Sequence, residues 1–598
     1  MISYTKNMMT SRSQTTEPGT PFRPLTPAEI GQLKSQGCYC PDWTRVSVRD
    51  GIDLRLIRSC RFSGMVKLGM LTSRGEREEG IFNAVIQDCA IGDHVFISGV
   101  AGRLEGLVID DQARIENVGR IIAEPEADFG VGTAVSVLDE TGSRPVYIYP
   151  GLTAQTASLM AYRPRWTEDT FMPMLDELRQ KYPATPTIGK GAEVLDTRYM
   201  FNVRIGAGVR VYGASYLKNG TVISNAHSGH TLTFVGNDVD AEDFIIEDGK
   251  VDSGTLLRRC YVGQGAELEK RFTAHDSLFF ANSSMENGEA CAILAGPYTV
   301  SMHKSSLLIG GEYSFFNAGS GTNSSNHKYK LGPVHWGVMQ RGVKAASGAY
   351  IMWGGRIGAF SMLMGAHKSH PDTSDFPFSY LFGQPDGTTL VAPGLMLKSC
   401  GLMRDELKWP KRDRRVKGRV PLHDHVNFEV LNPITVGAMI NALGVLRELA
   451  NTRPDSNGLV CHKGVFLKAK SIERGLEFYT LGIAKYISGK LKEDTEVPEP
   501  LSAEPIIWKD LGGQILPAST VEAALEAESL EEITRILDEA HENYASLERE
   551  WIAQILSPAL KDVISLADNA AARLDALVEK DRKQYLATLN AHNAAFGL

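Results

Sequence analysis

Aliphatic residues recur every six positions from about Arg45 to Cys400, and this spacing constrains the fold more than anything else in the chain. Ile91-Gly-Asp-His-Val-Phe-Ile97 is one copy, followed by Ile109-Asp-Asp-Gln-Ala-Arg-Ile115 and Ile188-Gly-Lys-Gly-Ala-Glu-Val194. Ile205-Gly-Ala-Gly-Val-Arg-Val211, Val262-Gly-Gln-Gly-Ala-Glu-Leu268 and Ile357-Gly-Ala-Phe-Ser-Met-Leu363 continue it. The comb also runs between copies, through Ile205, Val211, Leu217 and Ile223 and through Val239, Ile245, Val251 and Leu257. A period of six is neither the helical 3.6 nor the strand period of two. It suits short strands that each send one aliphatic inward before a tight corner where Gly or Ala is tolerated. Three such strands make a coil of about 18 residues, and each coil is stable only when a neighbour covers it.

With 598 residues the chain is too long for one ordinary core unless a repeat stretches it. Its 43% hydrophobic and 22% charged residues are a usual globular balance. A net charge of −8 argues against nucleic acid or an anionic membrane as partner. No apolar window reaches the ~18 residues of a membrane span. Residues 1–21 are polar, lack the apolar core of a secretory signal, and are expected to be a disordered tail of a cytoplasmic protein. The eight cysteines contain no CxxC pair, which suits reduced thiols.

The sixfold pattern resembles the hexapeptide repeat of the left-handed parallel β-helix superfamily, which includes sugar-nucleotide acyltransferases. It is also similar to an uncharacterised bacterial family within it that carries a C-terminal helical region. The resemblance implies a mainly β fold: a left-handed parallel β-helix, a triangular prism of six-residue repeats, over residues 22–405. The left hand comes from the resemblance, because the general rule for parallel crossovers favours the opposite one. A homo-oligomer, by resemblance a trimer, is implied as well.

Two stretches break the comb and are expected as insertions, 124–186 and 316–349. In the first, Thr170 to Lys181 reads as a short amphipathic helix with Pro173 in its first turn. Residues 406–430 read as a basic linker and 431–598 as an all-α domain. Asn432-Pro433 opens one helix and a second spans about Ser471 to Ile487. Ser529-Leu-Glu-Glu532 is a capping box before a heptad seam of Leu530, Ile533, Leu537, Ala540, Tyr544, Leu547 and Trp551. Ser557-Pro558 interrupts the seam, and the last two helices are expected to pack as an antiparallel hairpin.

Chemistry concentrates between Val300 and Pro371, which hold five of the 14 histidines. His303, His327, His335, His367 and His370 are the candidate catalytic bases, since imidazole changes charge near neutral pH. His327 and His335 come first because they fall in the break. Asn317, Asn323, Asn326, Lys328, Lys330, Lys368 and Arg356 are candidate substrate ligands in Gly/Asn/Ser-rich or basic surroundings. Trp409, Lys411, Arg412, Arg414 and Arg415 suit the base and phosphates of a nucleotide-like cofactor. The pairs His227/His230 and His367/His370, with Asp276 or Asp372, are the zinc alternative, but no supporting Cys or HExxH pattern accompanies them and no metal is expected.

Together these imply a transferase acting on a sugar or sugar nucleotide, with acetyl-CoA or another acyl donor as cofactor. A sugar nucleotidyltransferase and a non-catalytic scaffold are the alternatives.

Overall fold

The computed structural model describes residues 21–73, 78–181, 187–226, 233–326, 335–491, 500–502, 504–556 and 567–596. The expected tail therefore lies, except for Pro21, outside the described residues. The fold is mainly β, with large parallel-rich sheets followed by a C-terminal helical region.

The parallel ladders follow from the aliphatic comb. Met200 pairs with Leu217, Leu217 with Ala241, Ala241 with Leu257, Leu257 with Ala274, and Ala274 with Ala290. All six side chains are fully buried. Each Leu or Val so placed contributes about 1.5–3 kcal/mol of apolar burial, and the chain must advance one strand spacing at each return.

What turns the chain is a column of left-handed residues. Asn202, Asn219, Asp243, Arg259, Asp276, Ala292 and Gly310 stand at equivalent places on successive turns, with φ between 47° and 57°. Asn, Asp and Gly tolerate this region best. Each residue sits between two short paired segments, so the chain bends there without losing its ladder; Val203 to Ile205 thus pair with Gly220 to Val222 just past the bend. Asn219 Nδ2 donates to Asp243 Oδ1 at 2.7 Å, and Arg259 Nε donates to Asp276 Oδ1 at 2.7 Å, so the column is also stitched along its length.

The first insertion is real. It contains the hairpin Ala134–Ser136/Pro145–Tyr147 and the helix Ala154–Tyr162. The helical path expected from Thr170 begins earlier, at Pro164, and passes through a π turn, Thr167–Phe171, before Met172–Lys181. Pro173 has no N–H to give to the previous turn, and a widened turn accommodates its ring. The insertion's apolar side, including Val135, Leu152, Met160 and Phe171, packs on Ile245, Tyr261, Leu278 and Leu294.

The second expected break is corrected. Asn317–Ala318, Asn323–Ser325, Gly337–Met339 and Lys344–Ala345 are strands in the same ladders. Their inward residues, such as Ala318, Ser324 and Ala345, are too small or polar to register in an aliphatic comb.

Residues 406–430 are likewise not a solvated linker. Residues 406–418 complete the helix Cys400–Lys408 and form Pro410–Arg412 and Arg414–Gly418, a helical strap laid on the sheets, and 419–430 continue without helix or strand. The C-terminal region is also not all-α. Hairpins Leu459–His462/Val465–Lys468 and Trp508–Leu511/Gln514–Pro517 turn through Lys463-Gly464 and Gly512-Gly513, both with positive φ. Pro433–Ala450 packs on Ala469–Leu491. The expected long seam helix is split at Asn543 into Leu530–Glu542 and Tyr544–Ile555. Among the described residues the final helix, Ala567–Phe596, takes Ala469–Leu491 as its main partner, where a hairpin with the preceding helix is expected. A heptad seam shows that a face will be covered, not by which helix. Among the described residues no helix is long and apolar enough to cross a membrane.

Ala292 tests the left-handed column, because it is fully buried at φ 53° without the freedom of Gly or Asn. Ala292→Gly is expected to leave stability within about 1 kcal/mol, and Ala292→Val to lower it by roughly 2–3 kcal/mol, read from denaturant unfolding.

Candidate functional site

One outward-facing row of the sheets runs Ile245, Tyr261, Leu278, Leu294, Glu312, Val338 and Arg356. The insertion covers its first four members. Glu312 is the next position, at the rim of the covered zone, and Arg356 stands two rungs further on, exposed. An acidic side chain is therefore caught where the apolar cover ends.

The partner of Glu312 is Tyr162, the last residue of the insertion helix, whose hydroxyl donates to Glu312 Oε2 in a short hydrogen bond. Burial pushes the Glu312 carboxyl up to about 7; the Tyr162 hydrogen bond and the Arg356 charge pull the other way, and Asp510 adds to the rise. Part of Glu312 still faces solvent. Burial and the Glu312 charge hold the Tyr162 phenol well above its ordinary range.

Around this pair are two guanidinium groups and an indole. Trp336 meets the Tyr162 ring at 5.7 Å in an edge contact, and the Arg144 guanidinium lies 4.9 Å from the Trp336 ring centre. Arg144 Nη1 donates to Ala161 O at 2.9 Å, which ties the hairpin loop to the helix end. Both Arg144 and Arg356 act on the Tyr162 hydroxyl electrostatically. The next edge of the site holds Glu140, which accepts from Asn326 Nδ2 in a short bond and from Cys291 Sγ at 3.3 Å. Burial, with Glu140 alongside, pushes the Cys291 thiol up to about 12, so it is not a nucleophile at neutral pH. Gly310 closes the wall. It has φ 57°, and a Cβ there would stand 2.9 Å from Leu138 O and 3.3 Å from His335 O.

Three of the residues selected from sequence meet here: His335, Asn326 and Arg356. His335 is half-buried beside Trp336, and its Nδ1 is enclosed with no hydrogen-bond partner among the described residues. Asn326 is buried and committed to Glu140. The others do not gather. His303 is exposed. His367 is fully buried on Thr389 Oγ1 at 3.0 Å, and desolvation pushes its imidazole down to about 4. His370 is held by Trp353 O at 2.6 Å. Asn317 and Lys368 are exposed, and Asn323 is a half-buried strand residue. His327, Lys328, Lys330, His227 and His230 lie outside the described residues.

The basic strap serves the fold. Trp409 packs 4.6 Å from the Phe315 ring. Arg414 donates to Gly265 O and Ser283 O, and Arg415, 2% exposed at its side chain, pairs with Asp413 and donates to Asp424 O. Their donors are spent on protein acceptors, which corrects their assignment to a cofactor; Lys411 and Arg412 remain exposed. For the zinc alternative, Asp276 is taken by Arg259 and Asp372 by the Ser374 amide and hydroxyl.

Sequence reasoning missed Glu312, Tyr162, Arg144 and Trp336. A signal existed: Ile245, Tyr261, Leu278 and Leu294 are bulky apolar residues on outward positions, which need a cover. Locating its rim needed the tertiary structure.

The sequence matches the family described as "Domain of unknown function (DUF4954)" over residues 22–450. It is 27% identical over 466 residues to an uncharacterized protein of Treponema pallidum (strain Nichols), covering 73% of this chain and 62% of that protein. The chain thus spans less than two thirds of that relative's length. The match to this family overturns the hexapeptide-repeat resemblance. The physical reason lies in the strands: they run from two to eight residues, and paired residues stand unevenly apart, as Leu217 with Ala241 and Ala241 with Leu257 show. A sixfold aliphatic comb reports buried strand residues, inward as at Leu257 or under the insertion as at Ile245, and does not identify a family.

Glu312 carries a checkable linkage. Its folded pKa of about 7 lies above the ordinary 4.5, so the folded state holds an extra proton between those values. The resulting stability is complete below about pH 4.5 and is lost as pH rises through about 7. Glu312→Gln should therefore gain on wild type between pH 5 and pH 8, by on the order of 1–2 kcal/mol after allowance for partial exposure. Urea unfolding at the two pH values measures it.

Proposed function

The chain belongs to the DUF4954 family, and we propose that it is a transferase acting on an anionic sugar or sugar nucleotide, with acyl transfer from coenzyme A as the reaction. The observation that carries this reading is Glu312, a carboxyl brought to about 7 beside Tyr162 and within reach of the Arg144 and Arg356 charges. A general base works best when its pKa lies near the working pH. Two guanidinium groups around it suit a phosphate or carboxylate, and the Trp336 indole suits the apolar face of a sugar or base.

In this mechanism the Glu312 carboxylate takes the proton of the acceptor hydroxyl or amine. The acceptor oxygen or nitrogen bonds to the thioester carbonyl carbon. The carbon–sulfur bond then breaks, and the departing thiolate recovers the proton from Glu312. Tyr162 orients the carboxylate, and Arg144 and Arg356 hold the anionic part of the substrate. His335 stands beside the site as a second proton carrier. The acid–base role thus moves from the histidines to Glu312.

We further propose that the ladders are turns of one left-handed coil with three faces. The column of left-handed residues and the return of each strand to its neighbour support it. A traceable experimental map showing right-handed winding would overturn it.

The assay is thiol release from acetyl-CoA with a panel of amino sugars and nucleotide sugars, followed from pH 5.5 to 8.5. Wild type should show a rate that rises with pH through about 7. Glu312→Gln should lose about a hundredfold or more, and Arg356→Ala should chiefly raise KM. No thiol release together with no coenzyme A binding by calorimetry sinks the reading. Full activity in Glu312→Gln would displace the site.

A further inference from the structure

The basic strap has two sides, and only one of them is spent on the fold. Trp409 packs on Phe315, Arg414 donates to Gly265 O and Ser283 O, and Arg415 pairs with Asp413. These contacts fix which side lies on the sheets. The other side keeps its cations. Lys411, Arg412, Lys417 and Arg419 are exposed and Lys408 is half-buried. None of the five has an ion pair or a side-chain hydrogen bond among the described residues.

The acids of the strap are committed inward. Asp405 pairs with Lys344, and Glu406 accepts from Val430 N at 2.8 Å. Asp413 is held by Arg415, and Asp424 accepts from Ala154 N and Ala281 N. Glu267 of the sheets is taken by Arg414 at 3.2 Å. A local surplus of positive charge therefore stands on a chain whose total of −8 conceals it.

The same side carries aliphatics. Leu407, Val416 and Leu422 are 66%, 61% and 51% exposed. Leu407 lies five positions after buried Leu402 on one helix, which turns it to the far side. Val416 alternates with Arg415 and Gly418, the buried residues of its short helix. A single exposed aliphatic needs no explanation. Three of them among five unpaired cations match a surface that is both anionic and apolar.

We propose that the outward side of the strap, residues 407–422, docks on an anionic lipid surface. Long Lys and Arg stems carry their charges to the headgroup phosphates while the aliphatics enter the headgroup boundary. Each such cation adds about fivefold to binding. Nucleic acid fits less well, because it offers little to aliphatics and the one ring of the strap that could stack on a base, Trp409, is already against Phe315. A protein partner calls for aromatic anchors and few lysines. The rest of the chain is acidic and is repelled by the same surface, so the strap is presented first. The docking side is separate from Glu312 and goes beyond the transferase reading.

The experiment is co-sedimentation of the full chain with vesicles of phosphatidylcholine alone and of equal parts phosphatidylcholine and phosphatidylglycerol. The mixed vesicles should bind the protein and the neutral ones should not, and binding should fall at least tenfold between about 0.05 M and 0.5 M salt. Lys411→Glu with Arg412→Glu should weaken it by about a hundredfold or more. Arg120→Glu with Lys190→Glu makes the same change in total charge elsewhere and should leave it within about twofold. Leu407→Gln with Val416→Gln changes no charge and should weaken it by about tenfold. Circular dichroism and melting temperature confirm that each variant is folded. No binding to the mixed vesicles, equal binding to neutral ones, or binding that survives Lys411→Glu with Arg412→Glu overturns the proposal. So does tighter binding to a single- or double-stranded oligonucleotide than to the mixed vesicles.

Discussion

The rest of the structure depends on the chain turning at the same place on every return. Parallel strands cannot be joined by tight hairpins, so a parallel ladder must find another way back. Here a left-handed residue between two short paired segments bends the strand while both segments keep their hydrogen bonds. Asn202, Asn219, Asp243 and Asp276 do this with side chains that tolerate the conformation, and two contacts, Asn219 to Asp243 and Arg259 to Asp276, reinforce it. Because the bends stay aligned, inward residues stack on inward residues, and outward residues form continuous rows.

Those outward rows are where function is built. A row left to itself is solvated, as at Lys218 and Glu242. A row covered by the insertion becomes a second core, as at Ile245 to Leu294. The boundary between the two regimes is one residue wide. Glu312 sits on it, and a carboxylate that would be ordinary in water is pushed up to about 7 because the apolar cover ends at Tyr162. The electrostatics of the candidate site thus follow from where a fold-level cover stops.

The C-terminal part works as a brace. Asp424 accepts from Ala154 N of the insertion and from Ala281 N of the sheets, at 2.7 and 3.0 Å. Arg341, 2% exposed at its side chain, pairs with Asp510 and donates to Gly513 O of the second hairpin. Buried arginines in such places are costly unless every donor finds an acceptor, and here the acceptors come from separate segments of the chain. The basic residues from Arg414 to Arg415 belong to the same brace, which explains their density without a ligand.

By itself, the sequence determined the mainly β character, the first insertion, the helical nature of the C-terminal region and the starts of several helices. These are local consequences: an aliphatic comb, a proline beside an N-cap, a serine three residues before a glutamate. It also drew attention to His335, Asn326 and Arg356; the first two fall in an expected break that in fact carries ladder strands, and Arg356 falls outside it. Only the tertiary structure decided which outward row is covered, that Glu312 meets Tyr162, that Arg415 faces inward, and that the last helix lies on Ala469–Leu491. Each of these depends on contacts between residues far apart in the chain, and side-chain periodicity records that a face will be buried without recording what buries it.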